Sequence, residues 1–352
     1  MSDRSLYSVL GAGIILSASF LTMSLCPSTV NAASTGWRQV GDDWYYYGKN
    51  GKPVTGWVKV SSKWYFMNEE GVMQTGWIKD GKKKYYLKSS GAMVTGWRTI
   101  KGERYHFKSS GTLEKNCWLQ DGLQWYYAGK NGKMLKDTTS LIDGKNYKFD
   151  AKGRWIDSKQ KKLMKTETSK ISDQIVLVVG HNLTLWEKDE DGLWYKSLDV
   201  YCGYGRKGMM LASERKEGNQ TTPIGSFPLT LAFGTTSGKG FPMTYRKITK
   251  YSYWSAVRDE THNTWVESKT RIKGEHLIDY YQYKYAMSIG FNMDPTVYGL
   301  GNAIFLHCKS KNTWGTAGCV SVYEKDMLYM MKNLRDGAYI IIVPDTKSIA
   351  DY

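Results

Sequence analysis

The sequence predicts a mainly β protein in two parts: a solenoid of short hairpins, then a separate β domain with few helices. Three observations predict it. The first is a repeat. "TGW" recurs at Thr35–Trp37, Thr55–Trp57, Thr75–Trp77 and Thr95–Trp97, a spacing of about 20 residues, and "NCW" continues it at Asn116–Trp118. The second is the set of aromatic triplets between these marks: "WYY" from Trp44, "WYF" from Trp64, "KYY" from Lys84 and "WYY" from Trp125. The third is composition. The 352 residues include 26 Tyr, 14 Trp and 36 Gly against 7 Pro, which suits aromatic strands joined by glycine turns.

The chain opens on Arg4, an apolar run Val9–Leu25 and the small-residue sequence "VNAAS". This is the pattern of an export signal over residues 1–32, with cleavage expected after Ala32 and no stable membrane span left afterwards. Cys26 follows Leu25, a poor context for lipid attachment. The net charge of +16 favours a polyanionic partner. Export turns that preference toward an anionic wall polymer and away from nucleic acid.

Residues 33–156 form the repeat region. Each unit reads as strand, turn, strand, followed by a glycine: Gly51, Gly71, Gly91, Gly111, Gly132 and Gly153. Such hairpins cannot stand alone, but they hold when each buries its face on its neighbours. The middle aromatics Tyr65, Tyr85 and Tyr105 are expected in that core. The region holds 22 Lys and Arg against 11 Asp and Glu. Residues 157–173 are polar, basic and free of aromatics after Asp157, and they read as a linker.

A second domain is expected over 174–352. "QIVLVVG", "LTLWEKD", "LWYKSLDVYCGYG", "YAMSIGFN" and "AYIIIV" read as strands. "YEKDMLYMMKNL" (Tyr323–Leu334) is the one convincing helix, with Met327, Leu328, Met330, Met331 and Leu334 on its apolar side. Pro223 and Gly225 suggest a turn.

Chemistry concentrates in residues 304–322, "IFLHCKSKNTWGTAGCVSV". Four cysteines, Cys117, Cys202, Cys308 and Cys319, remain after cleavage, an even number that leaves two disulfides open. The histidines and cysteines lack the paired spacing of a zinc site, so no metal and no cofactor are expected. A nucleophile with its base fits better. His307 ends one strand, Cys319 starts another, and a thiolate needs such a neighbour. Gly318 permits a tight turn that could free its N–H and that of Cys319 for an oxyanion.

The repeats resemble the cell-wall-binding, or choline-binding, repeats of Gram-positive surface proteins, best seen in "TGWVKVSSKWYFMNEEGVMQTGW". The resemblance implies aromatic cages that hold choline groups of teichoic acids by cation–π attraction. The candidates are Trp37, Trp44, Trp57, Trp64 and Trp77. Lys84 and Arg104 stand where the leading Trp of a triplet is expected, and a cation there would repel choline.

Residues 174–345 resemble the YkuD-type L,D-transpeptidase catalytic domain. The shared landmarks are "TTPIGSF" (Thr221–Phe227), "GEHL" (Gly274–Leu277), "GLGNAIFLH" (Gly299–His307) and "TAGCVSV". The resemblance implies a β-sandwich-like domain in which Cys319 attacks a peptidoglycan stem peptide, His307 takes the thiol proton and a 3→3 cross-link results. Gly318 and Thr316 would shape the nucleophile loop, and His276 would be a possible supporting imidazole. The commoner family pattern is Ser-His-Gly-Cys, whereas Thr316, Ala317 and Gly318 precede Cys319 here. The expected protein is therefore a secreted, wall-associated transpeptidase of a Gram-positive-type envelope. An L,D-carboxypeptidase with the same site and a non-catalytic wall-binding surface protein are the alternatives.

Overall fold

A computed structural model describes residues 35–352; the expected signal segment lies outside the described residues. The chain divides into two compact units, one ending at Val94 and the other running from Thr95 to Tyr352. The described residues are mainly β.

The first unit holds three hairpins: Gly36–Val40 with Asp43–Tyr47, Gly56–Val60 with Lys63–Met67, and Gly76–Asp80 with Lys83–Leu87. Their turns are two residues long. Ser61 and Ser62, at φ 46° and 66°, show the left-handed pair that matches strand twist in such turns. The segment after each hairpin reaches back to the hairpin before. Met73 N donates to Trp44 O at 2.7 Å, and Met93 N donates to Trp64 O at 2.8 Å. This packing explains the periodic glycines. A Cβ on Gly91 (φ 75°) would fall 2.2 Å from Met73 Sδ. Met67, Leu87 and Tyr85 are buried, whereas Tyr65 is only half-buried.

The second unit begins with three more hairpins: Gly96–Ile100 with Glu103–Phe107, Cys117–Asp121 with Gln124–Ala128, and Thr138–Ile142 with Lys145–Phe149. Residues 157–173, expected as a linker, instead form two short helices, Ser158–Leu163 and Thr168–Ile171. Asp157 caps the first by accepting from Gln160 N at 2.8 Å. Leu163 is fully buried in a cluster with Ile175, Leu177, Trp186 and Ile341. Gln160 Nε2 donates to Trp194 O at 2.8 Å and Thr168 Oγ1 to Tyr352 O at 3.0 Å, so polar contacts dock the segment along with Leu163. The last hairpins also meet the catalytic half. Gln124 Nε2 donates to Lys196 O at 2.7 Å. Arg154 pairs with Asp150 at 2.6 Å and with Asp189 at 3.0 Å. The division into units accordingly falls at Val94, within the repeats.

A ten-stranded sheet carries the second domain. Its order is Trp194–Tyr201, Asn182–Lys188, Gln174–Val179, Tyr339–Val343, Thr222–Gly234, Tyr285–Ile289, Phe305–Cys308 and Val320–Val322; Met209–Leu211 and Tyr245–Lys247 also pair with Thr222–Gly234. Pro223 and Gly225, expected in a turn, lie inside the 13-residue strand Thr222–Gly234. Pro223 sits near the strand's start, where a missing N–H is tolerated. The helix forms as Glu324–Asn333 and buries Met327, Met330 and Met331 on one face of the sheet. A small three-stranded sheet, centred on Ser252–Ser255, brings in Trp265–Glu267 and Gly274–His276.

Candidate active site

Phe305–Cys308 and Val320–Val322 pair in parallel, with Leu306 opposite Val320 and His307 opposite Ser321. The connection between them is a crossover rather than a hairpin, so Cys319 returns to the beginning of the histidine's strand, beside Phe305. Side chains alternate across a sheet. Leu306, Cys308, Val320 and Val322 therefore enter the core on one face, and Phe305 and Cys319 enter the cluster on the other. His307 shares the face of Phe305 and Cys319. Cys308, its sequence neighbour, points away and bonds Tyr285 O at 3.5 Å. Cys117, Cys202, Cys308 and Cys319 are all free thiols.

Cys319 is 7% exposed. Its Sγ accepts from Phe305 N at 3.3 Å and donates to Ala303 O at 3.4 Å. Burial, reinforced by the Glu275 carboxyl, pushes the thiol up to about 12. His307, also 7% exposed, has Nδ1 at 2.8 Å from Cys308 O. A carbonyl only accepts, so Nδ1 carries the proton and Nε2 keeps a free lone pair. Burial pushes this imidazole down to about 4. The resting pair is thus a neutral thiol and a neutral base.

Threonines pin the nucleophile loop. Thr316 Oγ1 donates to Cys319 O at 2.6 Å and accepts from Gly318 N at 3.1 Å. The Gly318 N–H, expected to be free for an oxyanion, is therefore engaged in the resting structure, because Thr316 folds its hydroxyl back onto it. Thr222, from the "TTPIGSF" landmark, donates to Gly318 O at 2.8 Å. Gly318 has φ 146°, and a Cβ there would lie 2.6 Å from Arg215 Nη2. Arg215, 2% exposed, donates to Thr221 O at 2.7 Å and Leu300 O at 3.0 Å. It places a guanidinium against the nucleophile loop.

Cys319 and His307 line one cavity of about 200 Å³ with Arg206, Glu275, Tyr283 and Ala317. Tyr283 donates to Glu275 Oε2 and meets the His307 ring edge-on at 5.6 Å between centroids. Burial raises the Glu275 carboxyl, against the opposing hydrogen bond from Tyr283. His276, the expected supporting imidazole, is not among the cavity's lining residues. It stacks on Tyr253, bonds Lys250 O at 2.9 Å and pairs with Asp279 at 3.0 Å. Strand alternation sends Glu275 toward the cavity and its neighbour His276 away from it. Arg206, Arg215 and Tyr283 had no sequence signal of their own. Trp314 lies between Tyr201 and Tyr323, outside the cavity. His106, His181 and His262 are held by Glu114, Cys202 O and Val257 O.

Residues 173–343 match the model of the L,D-transpeptidase catalytic domain, and residues 34–69, 54–95 and 94–138 match that of the choline-binding repeat. The chain carries choline-binding repeats followed by an L,D-transpeptidase catalytic domain. Similar solved structures include choline binding protein F from Streptococcus pneumoniae, at 40% identity, covering 35% of this chain and 41% of that one with a TM-score of 0.32. CbpJ from Streptococcus pneumoniae TIGR4 is 34% identical, covering 35% and 42% with a TM-score of 0.33. This chain spans about two fifths of the length of those structures. No curated protein matches it.

The choline-binding repeats show one aromatic arrangement three times. Trp37 meets Trp44, Tyr46 and Tyr65 at 6.4, 5.3 and 4.8 Å. Trp57 meets Trp64, Phe66 and Tyr85 at 6.4, 5.1 and 4.8 Å. Trp118 meets Trp125, Tyr127 and Tyr147 at 6.5, 5.3 and 4.8 Å. The third set was absent from the sequence candidates, although "NCW" and "WYY" marked it. A cavity of about 510 Å³ opens at Trp37, Trp44, Tyr65 and Met73. Trp77 differs: Lys84 Nζ sits 4.2 Å over its ring. Arg104 likewise lies 4.0 Å over Trp97 and 5.0 Å over Tyr126. The chain's own cations occupy the faces that a quaternary ammonium would need.

Proposed function

We propose that this protein is exported with cleavage after Ala32 and acts as a wall-bound cysteine L,D-transpeptidase. The observation that carries this reading is the shared face and shared cavity of Cys319 and His307 within the catalytic domain. The substrate is the peptidoglycan stem tetrapeptide. His307 Nε2 takes the thiol proton as Sγ bonds to the carbonyl carbon of the diamino acid, and the carbonyl π pair moves to oxygen. The adduct collapses by breaking the bond to D-alanine, whose nitrogen takes the proton from His307. A thioester remains. A side-chain amine of a neighbouring stem then bonds to the same carbon, its proton passes to His307, and sulfur departs to regain it. The product is a 3→3 cross-link.

Neutral partners suit this sequence, because proton transfer is coupled to attack rather than complete beforehand. Arg215 stabilises the thiolate as it forms. The Trp37, Trp57 and Trp118 cages bind choline on teichoic acid and hold the enzyme on its polymer. Water in place of the amine would make the same site a carboxypeptidase.

The test is a mass analysis of products from disaccharide-tetrapeptide. Wild type yields cross-linked dimer, and Cys319→Ala yields none. Dimer from the variant at the wild-type rate would remove Cys319 from the mechanism. Tripeptide without dimer from wild type would assign hydrolysis instead.

A further inference from the structure

The catalytic cavity is electrically lopsided. Among its described lining residues Arg206 is the one cation and Glu275 the one carboxylate, and different elements hold them. Glu275 comes from the small sheet and is engaged by Tyr283. Arg206 belongs to the nucleophile's own surroundings. Its N–H donates to Thr316 O at 3.0 Å, three residues before Cys319, next to the bridge between Gly205 and Thr316. Its stem lies so close to the loop that a Cβ on Gly315 would fall 2.8 Å from Arg206 Cγ. The backbone and the stem are thus held against the nucleophile loop, while the residue as a whole is exposed. Arg206 takes part in none of the ion pairs among the described residues, unlike Arg104, Arg154 and the lysines around them. An unpaired guanidinium on a held stem at the cavity lining is a ready fork for a carboxylate.

A donor stem supplies one. When the scissile carbonyl lies against Cys319, the leaving D-alanine carries its carboxylate on the carbon next to the departing nitrogen. We propose that Arg206 forms the subsite for the terminal carboxylate of the acyl donor, selecting stems that end one residue beyond the scissile bond. A pentapeptide would carry that charge a residue too far, about 3.5 Å along the chain. The inference rests on the L,D-transpeptidase reading and adds the group that measures the donor's length.

The test compares kcat/KM for two disaccharide-tetrapeptide donors, one ending in D-alanine and one in D-alaninamide, with wild type, Arg206→Gln and Arg206→Lys. Wild type should favour the free acid by about tenfold or more, the ratio of one charge-assisted hydrogen bond. Arg206→Gln should bring that ratio close to one through a larger loss on the acid donor than on the amide, and Arg206→Lys should restore part of it. A wild type that does not distinguish the donors, a preference that survives in Arg206→Gln, or an equal loss on both donors would overturn the subsite. A wild type that turns over neither donor would overturn the transpeptidase reading and the subsite with it.

Discussion

His307 and Cys319 line one cavity as neutral groups, and that sets how the site responds to pH. The imidazole is held down at about 4 by burial, and a base must be unprotonated to accept the thiol proton. Activity should therefore persist below the ordinary histidine range and fall only as pH drops through about 4. The basic side depends on Arg215. Burial lowers its own pKa and Cys319 raises it, yet a guanidinium stays charged. It is the buried positive charge nearest the nucleophile loop, and it works against the burial that raises the thiol. A rate profile of Cys319 alkylation against pH checks this. Arg215→Gln should move the midpoint upward from wild type, while Arg215→Lys, which keeps the charge, should stay nearer to it. An unmoved midpoint in Arg215→Gln would leave the arginine a purely structural role. None of this was legible in the sequence. "HC" and "GC" marked the candidate pair, but Arg215 is 104 positions before Cys319, and only the fold brings it to the loop.

The elements divide between those with strong local signals and those without. The hairpins declared themselves, because each repeats the same alternation of aromatic and polar residues around a two-residue turn. The helix Glu324–Asn333 also followed from its methionine spacing. Residues 158–171 did not, since a single leucine gives no periodicity. Leu163 is fully buried with Ile175 and Trp186, so Leu163→Ala should cost about 2–5 kcal/mol in denaturant unfolding. A loss under about 0.5 kcal/mol would mean that the segment is an unattached linker after all. The strand Thr222–Gly234 was hidden for a different reason. Pro223 and Gly225 are turn residues by habit, and only the strand's pairing with Met209–Leu211 and Tyr339–Val343 holds them extended.

Across the whole molecule, choline-binding repeats and an L,D-transpeptidase catalytic domain lie on one chain. On the proposed function, tethering would raise the enzyme's local concentration at its polymer without touching the active site. Free choline should therefore slow cross-linking of intact choline-bearing walls, by about tenfold or more, while leaving turnover of soluble muropeptides unchanged. Equal inhibition of both substrates would contradict an anchoring role. The residue pattern alone determined the hairpin array and the β character of the catalytic half and singled out Cys319 and His307 as candidates, because each rests on local periodicity or on a short motif. The tertiary structure decided which residues share the nucleophile's face, that Glu275 rather than His276 enters the cavity, and that Lys84 and Arg104 cover tryptophans of the solenoid. Those outcomes depend on strand register and crossover, which join residues far apart in sequence.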